Sequence, residues 1–248
     1  MALKEEFEAT GNWLFRWRSY LPLFILPVLL IALRDSEYFE RTGSGFAQRL
    51  WEILCLMLSF VGLGIRSFVV AYTPRGTSRR NTRAQKAETL NTTGIYSIVR
   101  HPLYLGNFFI FFGLILCTQV WWFIMFSVLA FWLYYERIMF AEEEFLRNKF
   151  GEEFIKWSKK TPPFIPDFKN WQQPELSFSF KNILKREYTG FFLIILCFAL
   201  LDFAGEIFSQ GKIKIDLFWI ILSVVGFIIY IILRTLKKNT NILKVEGR

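Results

Sequence analysis

Leu50–Tyr72 reads LWEILCLMLSFVGLGIRSFVVAY, an apolar block long enough to cross a bilayer as one helix. A hydrocarbon core of about 30 Å needs roughly 20 helical residues. Backbone groups in lipid must be bonded within their own segment or in a closed barrel, so such a block reads as a helix. Further apolar blocks lie at Tyr20–Leu33, Leu103–Gln119, Val120–Tyr135, Tyr188–Ile207 and Asp216–Leu233. Pro22 and Pro27 predict that the first is kinked or reaches only part way. Leu103–Gln119 and Val120–Tyr135 abut, which predicts a tight helical hairpin turning near Thr118–Gln119. Tyr188–Ile207 and Asp216–Leu233 form a second hairpin. The expected fold is all-α: a polytopic transmembrane bundle of about six spans including two hairpins.

Working outward from these blocks, charge is confined to the gaps. Hydrophobic residues make up 53% of the 248 and aromatics 19%, yet the net charge is +9. A bilayer sorts residues this way because an ionisable group in hydrocarbon costs several kcal/mol. In a chain with spans, the basic excess points to cytoplasmic loops and anionic headgroups rather than to nucleic acid. Lys and Arg crowd one side: Arg75, Arg79, Arg80, Arg83, Lys86 and Arg100, then Arg147 through Arg186, then the tail. Arg34, Arg41, Arg49, Lys212 and Lys214 fall on the other. The bias puts both termini, and any site on the basic side, in the cytoplasm. Glu5, Glu6 and Glu8 do not resemble a signal-peptide n-region, so no cleaved leader is expected.

Cys55, Cys117 and Cys197 each lie inside an apolar block and read as small buried hydrophobes. With His101 as the single histidine, no metal site is expected. No obligate protein partner is evident. Pro162, Pro163, Pro166 and Pro174 mark 161–180 as a linker or surface strap. The expected organisation is an N-terminal segment with the first apolar helix (1–49), a core (50–166), and a linker with a C-terminal hairpin (167–248).

Three places could carry chemistry. Asn91–Asn107 (NTTGIYSIVRHPLYLGN) returns the basic loop to the membrane. Pro102 suits the first helical position, and the free N–H groups there, with Arg100 and His101, favour anionic oxygens. Gly106 permits close approach of a helix or ligand. An ordinary span entrance would look similar. Tyr135–Gly151 (YERIMFAEEEFLRNKFG) follows the fourth block. If its helix runs on, Glu142, Glu143 and Glu144 point three ways and at least one faces the bundle, with Gly151 ending the helix. A solvated charged extension is the alternative. Arg66 sits inside the second block, where an ionisable residue is functional by default, although snorkelling to the nearby interface would also explain it.

The two stretches together resemble the isoprenylcysteine carboxyl methyltransferase and phospholipid methyltransferase superfamily. The likeness covers roughly residues 62–166. It rests on Gly94, Tyr96, Arg100, His101, Pro102, Tyr104 and Gly106, then Glu142, Glu143, Leu146, Phe150 and Gly151, then Pro162, Phe164 and Pro166. The resemblance implies an integral membrane enzyme using S-adenosyl-L-methionine, with a membrane-embedded lipid or prenylated acceptor entering sideways from the bilayer. It implies a cytosol-facing cofactor pocket formed by Tyr96, Arg100, His101, Pro102, Leu103, Tyr104, Leu105 and Gly106, closed by Glu142 and with Arg137 nearby. Arg66 matches an arginine used near the substrate, and Glu143 is the second candidate catalytic residue.

Methyl transfer is an in-line displacement that needs a positioned nucleophile and exclusion of water, not a metal. A carboxylate or phosphate acceptor would use a cation such as Arg66; an amine would use a carboxylate such as Glu143. The sequence departs from the family pattern at Glu88, where a His is frequent, and at Phe154 and Trp157, where tyrosines are. The Arg75–Lys86 loop suits anionic headgroups and looks like bacterial branches, one of which methylates a phosphate of lipid A. A bacterial inner membrane is the expected residence. The competing classes are a phospholipid amine N-methyltransferase, an NADPH-dependent reductase of the steroid type, and a non-enzymatic channel or scaffold.

Overall fold

A computed structural model of the chain describes residues 2–34, 45–74, 87–210, 213 and 216–245. Its helices are α1 (Leu3–Trp17), α2 (Ile25–Arg34), α3 (Gly45–Tyr72), α4 (Pro102–Cys117), α5 (Trp121–Phe150), α6 (Glu152–Lys160), α7 (Phe180–Gln210) and α8 (Leu217–Asn239). Among the described residues β pairing is limited to one bridge, Gly94 with Gln172. The chain is therefore the expected all-α polytopic bundle. By length and hydropathy α3, α5, α7 and α8 qualify as membrane spans. The bent pair made by Leu3–Trp17 and Leu21–Arg34 would add a fifth. α4, expected as a span, has 16 residues and is about 24 Å long, short of the hydrocarbon core.

The N-terminal segment contains more than the one apolar helix read from sequence. α1 carries Glu5 and Glu6 in its first turn and buries Gly11 and Phe15 against the bundle. A 3-10 turn at Leu21–Phe24, with Pro22 near its start, then bends the chain by 87° into α2. Pro27 lies in the first turn of α2, where a missing N–H is tolerated.

Both hairpins form. The first turns where expected: Thr118 Oγ1 donates to Ile115 O (2.7 Å), and Gln119 adopts a positive φ of 55° before α5 begins. α5 then runs 30 residues to Gly151, whose φ of 54° ends the helix and starts α6. In the second hairpin α7 begins at Phe180, eight residues before the apolar block, so Lys181, Lys185, Arg186 and Glu187 are helical. Asp216 caps α8 by accepting from Phe218 N (2.8 Å) and also pairs with Arg49 of α3.

The most extensive helix pairing among the described residues is between the antiparallel α3 and α4. A Cβ on Gly62 would lie 2.4 Å from Gly106 O, and one on Gly113 would lie 2.3 Å from Ser59 Oγ and 2.4 Å from Cys55 O. Ser59 Oγ donates to Ile110 O across the seam (2.9 Å). Small residues replace the hydrophobic driving force that lipid does not provide between helices. Below this seam Cys55, Leu56, Leu63, Cys117, Ile194, Phe198, Leu201 and Trp219 form the core. Cys55 and Cys117 are buried there, whereas Cys197 is exposed on α7, which corrects its reading as a buried group.

Gly62 is flanked by backbone atoms that cannot yield, while nothing lies within 4 Å of a Cβ on Gly64. Gly62→Val is expected to lower the thermal midpoint in detergent, with a cost of about 1–3 kcal/mol from overpacking. Gly64→Ala should leave it unchanged or higher. Equal midpoints for the two variants would refute the close seam.

Candidate active site

The site is built where α4 enters the bundle. The loop before it is fixed by the proline strap, whose carbonyls accept from Arg100 N (Pro162 O, 2.9 Å) and His101 N (Pro163 O, 3.2 Å). Asp167 N returns to Ile98 O (2.9 Å), and Ser97 Oγ accepts from Gln172 N (2.9 Å). Gly94, with a φ of 61°, packs against Pro174. The strap reading of 161–180 is thus what this segment does: it satisfies the loop backbone and presents Arg100 and His101. Pro102 opens α4, as expected, with His101 as the preceding cap.

Facing this entrance is the extension of α5 beyond Tyr135. The three carboxylates do diverge. Glu144 turns to α1, where Lys4 Nζ lies 2.7 Å away, and also pairs with Arg147 (2.8 Å). Glu143 accepts from Arg100 Nη1 (2.6 Å) and lies 3.0 Å from His101 Nε2. Glu142 accepts from the Tyr104 hydroxyl (2.9 Å) and stands 3.6 Å from His101 Nδ1, within ion-pair reach but beyond a hydrogen bond. The His101 side chain is only 4% exposed. Burial by itself would lower its basicity, but the nearby carboxylates of Glu142 and Glu143 outweigh that and raise its pKa. Burial, with Glu142 close by, likewise pushes the Tyr96 phenol upward.

Aromatic rings continue the cluster along α4 and α5. His101 stacks on Tyr104 (centroids 5.6 Å apart), and Tyr104 packs on Tyr135 (4.9 Å). The Tyr135 hydroxyl accepts from Asn107 Nδ2 (3.1 Å). Asn107 Oδ1 in turn accepts from Arg66 Nη1 (2.6 Å). Arg66 Nε and Nη2 each donate to Glu187 at 3.1 Å. Arg66 therefore points into the bundle rather than snorkelling to the interface. Gly106 makes this possible, since a Cβ there would sit 2.6 Å from Arg66 Cγ.

The structure thus joins Arg100, His101, Tyr104, Glu142 and Glu143 directly, and reaches Arg66 through Tyr135 and Asn107. Pro102, Leu105 and Gly106 are buried in α4, with Leu103 partly so. Arg137 is placed elsewhere: its guanidinium lies 3.3 Å from the Phe7 ring centroid, on the face of α5 that packs α1. Glu88 is exposed. Phe154 is fully buried, and Trp157 Nε1 donates to Tyr96 O (3.0 Å), so these departures serve packing around the loop. The Arg75–Lys86 loop lies outside the described residues.

Sequence reasoning missed Asn107, Tyr135, Glu187 and Arg18. Arg18, at the bend after α1, comes within electrostatic range of Glu142, Tyr104 and Tyr135. Asn107, one residue past the Gly106 motif, was the most accessible of the four to a helical reading. Glu187 lies 121 positions from Arg66, and no local spacing signals that pair. Among the described residues no group of three or more His, Cys, Asp or Glu is placed to hold a metal ion. An open cleft of about 510 Å³ borders the cluster, lined by Arg100, Lys159, Lys160, Pro162 and Asp167 among others.

Comparison with known proteins bears on the segment that carries this cluster. Residues 51–153 match the phospholipid methyltransferase family. Over this segment the chain is similar to phospholipid methyltransferases and to protein-S-isoprenylcysteine O-methyltransferases. The nickel-cobalt-cadmium resistance protein NccN of Alcaligenes xylosoxydans xylosoxydans is 29% identical over 155 residues, 62% of this chain and 67% of that protein. The cobalt-zinc-cadmium resistance protein CzcN of Cupriavidus metallidurans is 38% identical over 82 residues, 33% of this chain and 38% of its own length. The protein-S-isoprenylcysteine O-methyltransferase of Xenopus laevis is 34% identical over 85 residues, covering 34% of this chain and 29% of the relative. Apart from NccN, these alignments span well under half of the relatives' lengths. No solved structure matches the chain.

The raised basicity of His101 sets a pH dependence. Its contribution to folding is complete below the ordinary histidine value of 6.5 and is lost as pH rises through the higher folded value. The thermal midpoint of the wild-type protein in detergent should therefore fall between neutral and alkaline pH more steeply than that of His101→Gln. Parallel profiles for the two proteins would show that the imidazolium is not held by Glu142 and Glu143.

Proposed function

We propose that this protein is an S-adenosyl-L-methionine-dependent methyltransferase that acts on an oxygen of a membrane-embedded lipid or prenylated molecule. The observation carrying this reading is the convergence of Arg100 and His101 on Glu143, and of Tyr104 on Glu142, within the segment that matches a methyltransferase family. Residues 50–166 form the catalytic core in this reading, with 1–49 and 167–248 built around it. The excess of Lys and Arg on the site's side supports a cytoplasmic active site, and the bacterial relatives support an inner-membrane location.

The residues suit that cofactor. A zwitterionic amino acid joined to a ribose needs both anionic and cationic partners. Glu142 and Glu143 offer acceptors to an ammonium or hydroxyl groups, and the Arg100 Nε is buried with no hydrogen-bond partner, leaving a donor for a carboxylate. Tyr104 and Tyr135 offer apolar faces beside these groups. Once bound, the cofactor supplies a methyl carbon made electrophilic by its sulfonium. This chain's residues then have to orient the acceptor and exclude water. Arg66 is the group suited to the acceptor. Beyond the three bonds to Glu187 and Asn107, its guanidinium has N–H groups to spare for one oxygen, leaving a lone pair for attack. A carboxylate or phosphate is already ionised, so no base is needed. Asn107 lies six residues beyond His101 on α4, about 9 Å deeper along the helix, so the acceptor end faces the bilayer interior and the cofactor end its surface.

Incubating the purified protein with methyl-labelled S-adenosylmethionine and total lipid extract should label a lipid that mass spectrometry identifies as a methyl ester or methylphosphate. A methylamine product would instead assign the N-methyltransferase branch. A thermal shift with NADPH and none with S-adenosylmethionine would contradict the proposal. Glu143→Ala and His101→Ala should each weaken S-adenosylhomocysteine binding by roughly 10-fold or more, the usual scale for a charge-assisted hydrogen bond. Normal binding by both variants would remove the cluster from the site.

A further inference from the structure

The family match ends at residue 153, yet the guanidinium of Arg66 is held by a carboxylate from outside it. Glu187 comes from the first turns of α7, in the C-terminal hairpin. Its side chain is 5% exposed, and both its oxygens accept from Arg66 at 3.1 Å, one from Nε and one from Nη2. This two-point geometry fixes the plane of the guanidinium as well as its position. Asn107 Oδ1 takes Nη1 at 2.6 Å and is itself anchored through the Tyr135 hydroxyl. Arg66 is thus gripped from α4 and α7 while it springs from α3. Around it, Gly106 gives clearance on one side and Gly190, one turn beyond Glu187, approaches Leu63 of α3 on the other. Asn182, a turn before Glu187, is 1% exposed and donates to Val70 O (2.7 Å), which pins the start of α7 to the end of α3.

A helical hairpin could pack on the core through apolar contacts alone. A buried carboxylate at this place is costly unless paired, and a wholly apolar contact would be the cheaper way to attach α7. The pair instead neutralises Arg66 and orients it.

The geometry points to Glu187 as the positioning residue of the acceptor site: the C-terminal hairpin supplies the carboxylate that sets the guanidinium plane of Arg66 and cancels its charge. This rests on the proposed reading of Arg66 as the group that meets the acceptor oxygen. A neutralised arginine holds an anionic acceptor by directed N–H groups rather than by net charge. It therefore orients the oxygen without depressing its nucleophilicity as an uncompensated cation would. The core matched by the family model is incomplete at its acceptor end without α7, which gives the hairpin a part in the reaction.

The test uses the full-length protein in detergent or nanodiscs, with methyl-labelled S-adenosylmethionine, total lipid extract as the source of acceptor, and S-adenosylhomocysteine as the binding probe. Glu187→Gln is expected to raise the half-saturating lipid concentration, or cut turnover, at least five-fold. Its S-adenosylhomocysteine affinity should stay within two-fold of wild type, and Glu187→Asp should recover part of the loss. Arg66→Lys combined with Glu187→Gln should be no worse than Arg66→Lys alone, because both changes break one unit. Wild-type transfer in Glu187→Gln, or additive losses in the double variant, would overturn the inference while leaving the methyltransferase reading intact. Loss of both cofactor binding and folding in Glu187→Gln and Glu187→Asp alike would overturn it too, by giving Glu187 a structural role alone. Absence of methyl transfer and of S-adenosylhomocysteine binding in the wild-type protein would strike at the underlying reading instead.

Discussion

Glu143, clasped between the Arg100 guanidinium and the His101 imidazole, is the interaction on which the rest of the site depends. It ties the entrance of α4 to the extension of α5 at the point where both leave the apolar layer. Charged groups that are partly buried, as these are, are favoured when paired and hydrogen-bonded. Each part of the local fold serves that requirement. The strap carbonyls of Pro162 and Pro163 take the N–H groups of Arg100 and His101, so the loop reaches the cluster with its own backbone satisfied. Gln119 turns the chain in so few residues that α4 and α5 run side by side, and α5 continues far enough to return Glu142 and Glu143 to the level of His101.

The segments flanking the matched core complete it rather than decorate it. From one side α1 lies against the α5 extension, with Gly11 on Arg137 O and Lys4 on Glu144, and the bend that follows brings Arg18 toward Glu142. From the other side α7 brings Glu187 to Arg66. The polar groups form one line through the bundle, from Arg100 at its surface to Glu187 within it, linked by Tyr104, Tyr135 and Asn107.

Much of this was legible in the sequence where the physics is local. Apolar blocks report spans because lipid punishes charge along a contiguous stretch. Pro102 reports a helix start and Gly151 a helix end because each suits one backbone conformation. The pairing of the Arg100–His101 stretch with the Glu142–Glu143 stretch follows once the hairpin between them is recognised. Non-local geometry was not legible. Arg137 has the composition of a site residue, but its place on α5 turns it toward Phe7 of α1, a helix hidden in the sequence by its mixed polarity. Arg66 read equally well as snorkelling until Glu187 and Asn107 appeared beside it.

The most direct test of the central claim is ultraviolet photolabelling of the purified protein with S-adenosylmethionine carrying a labelled methyl group, followed by peptide mapping. Crosslinks confined to residues 94–107 and 134–147, and competed away by S-adenosylhomocysteine, are the predicted result. Specific crosslinks that fall on α2, α8 or the far end of α3, with none on those two peptides, would contradict it.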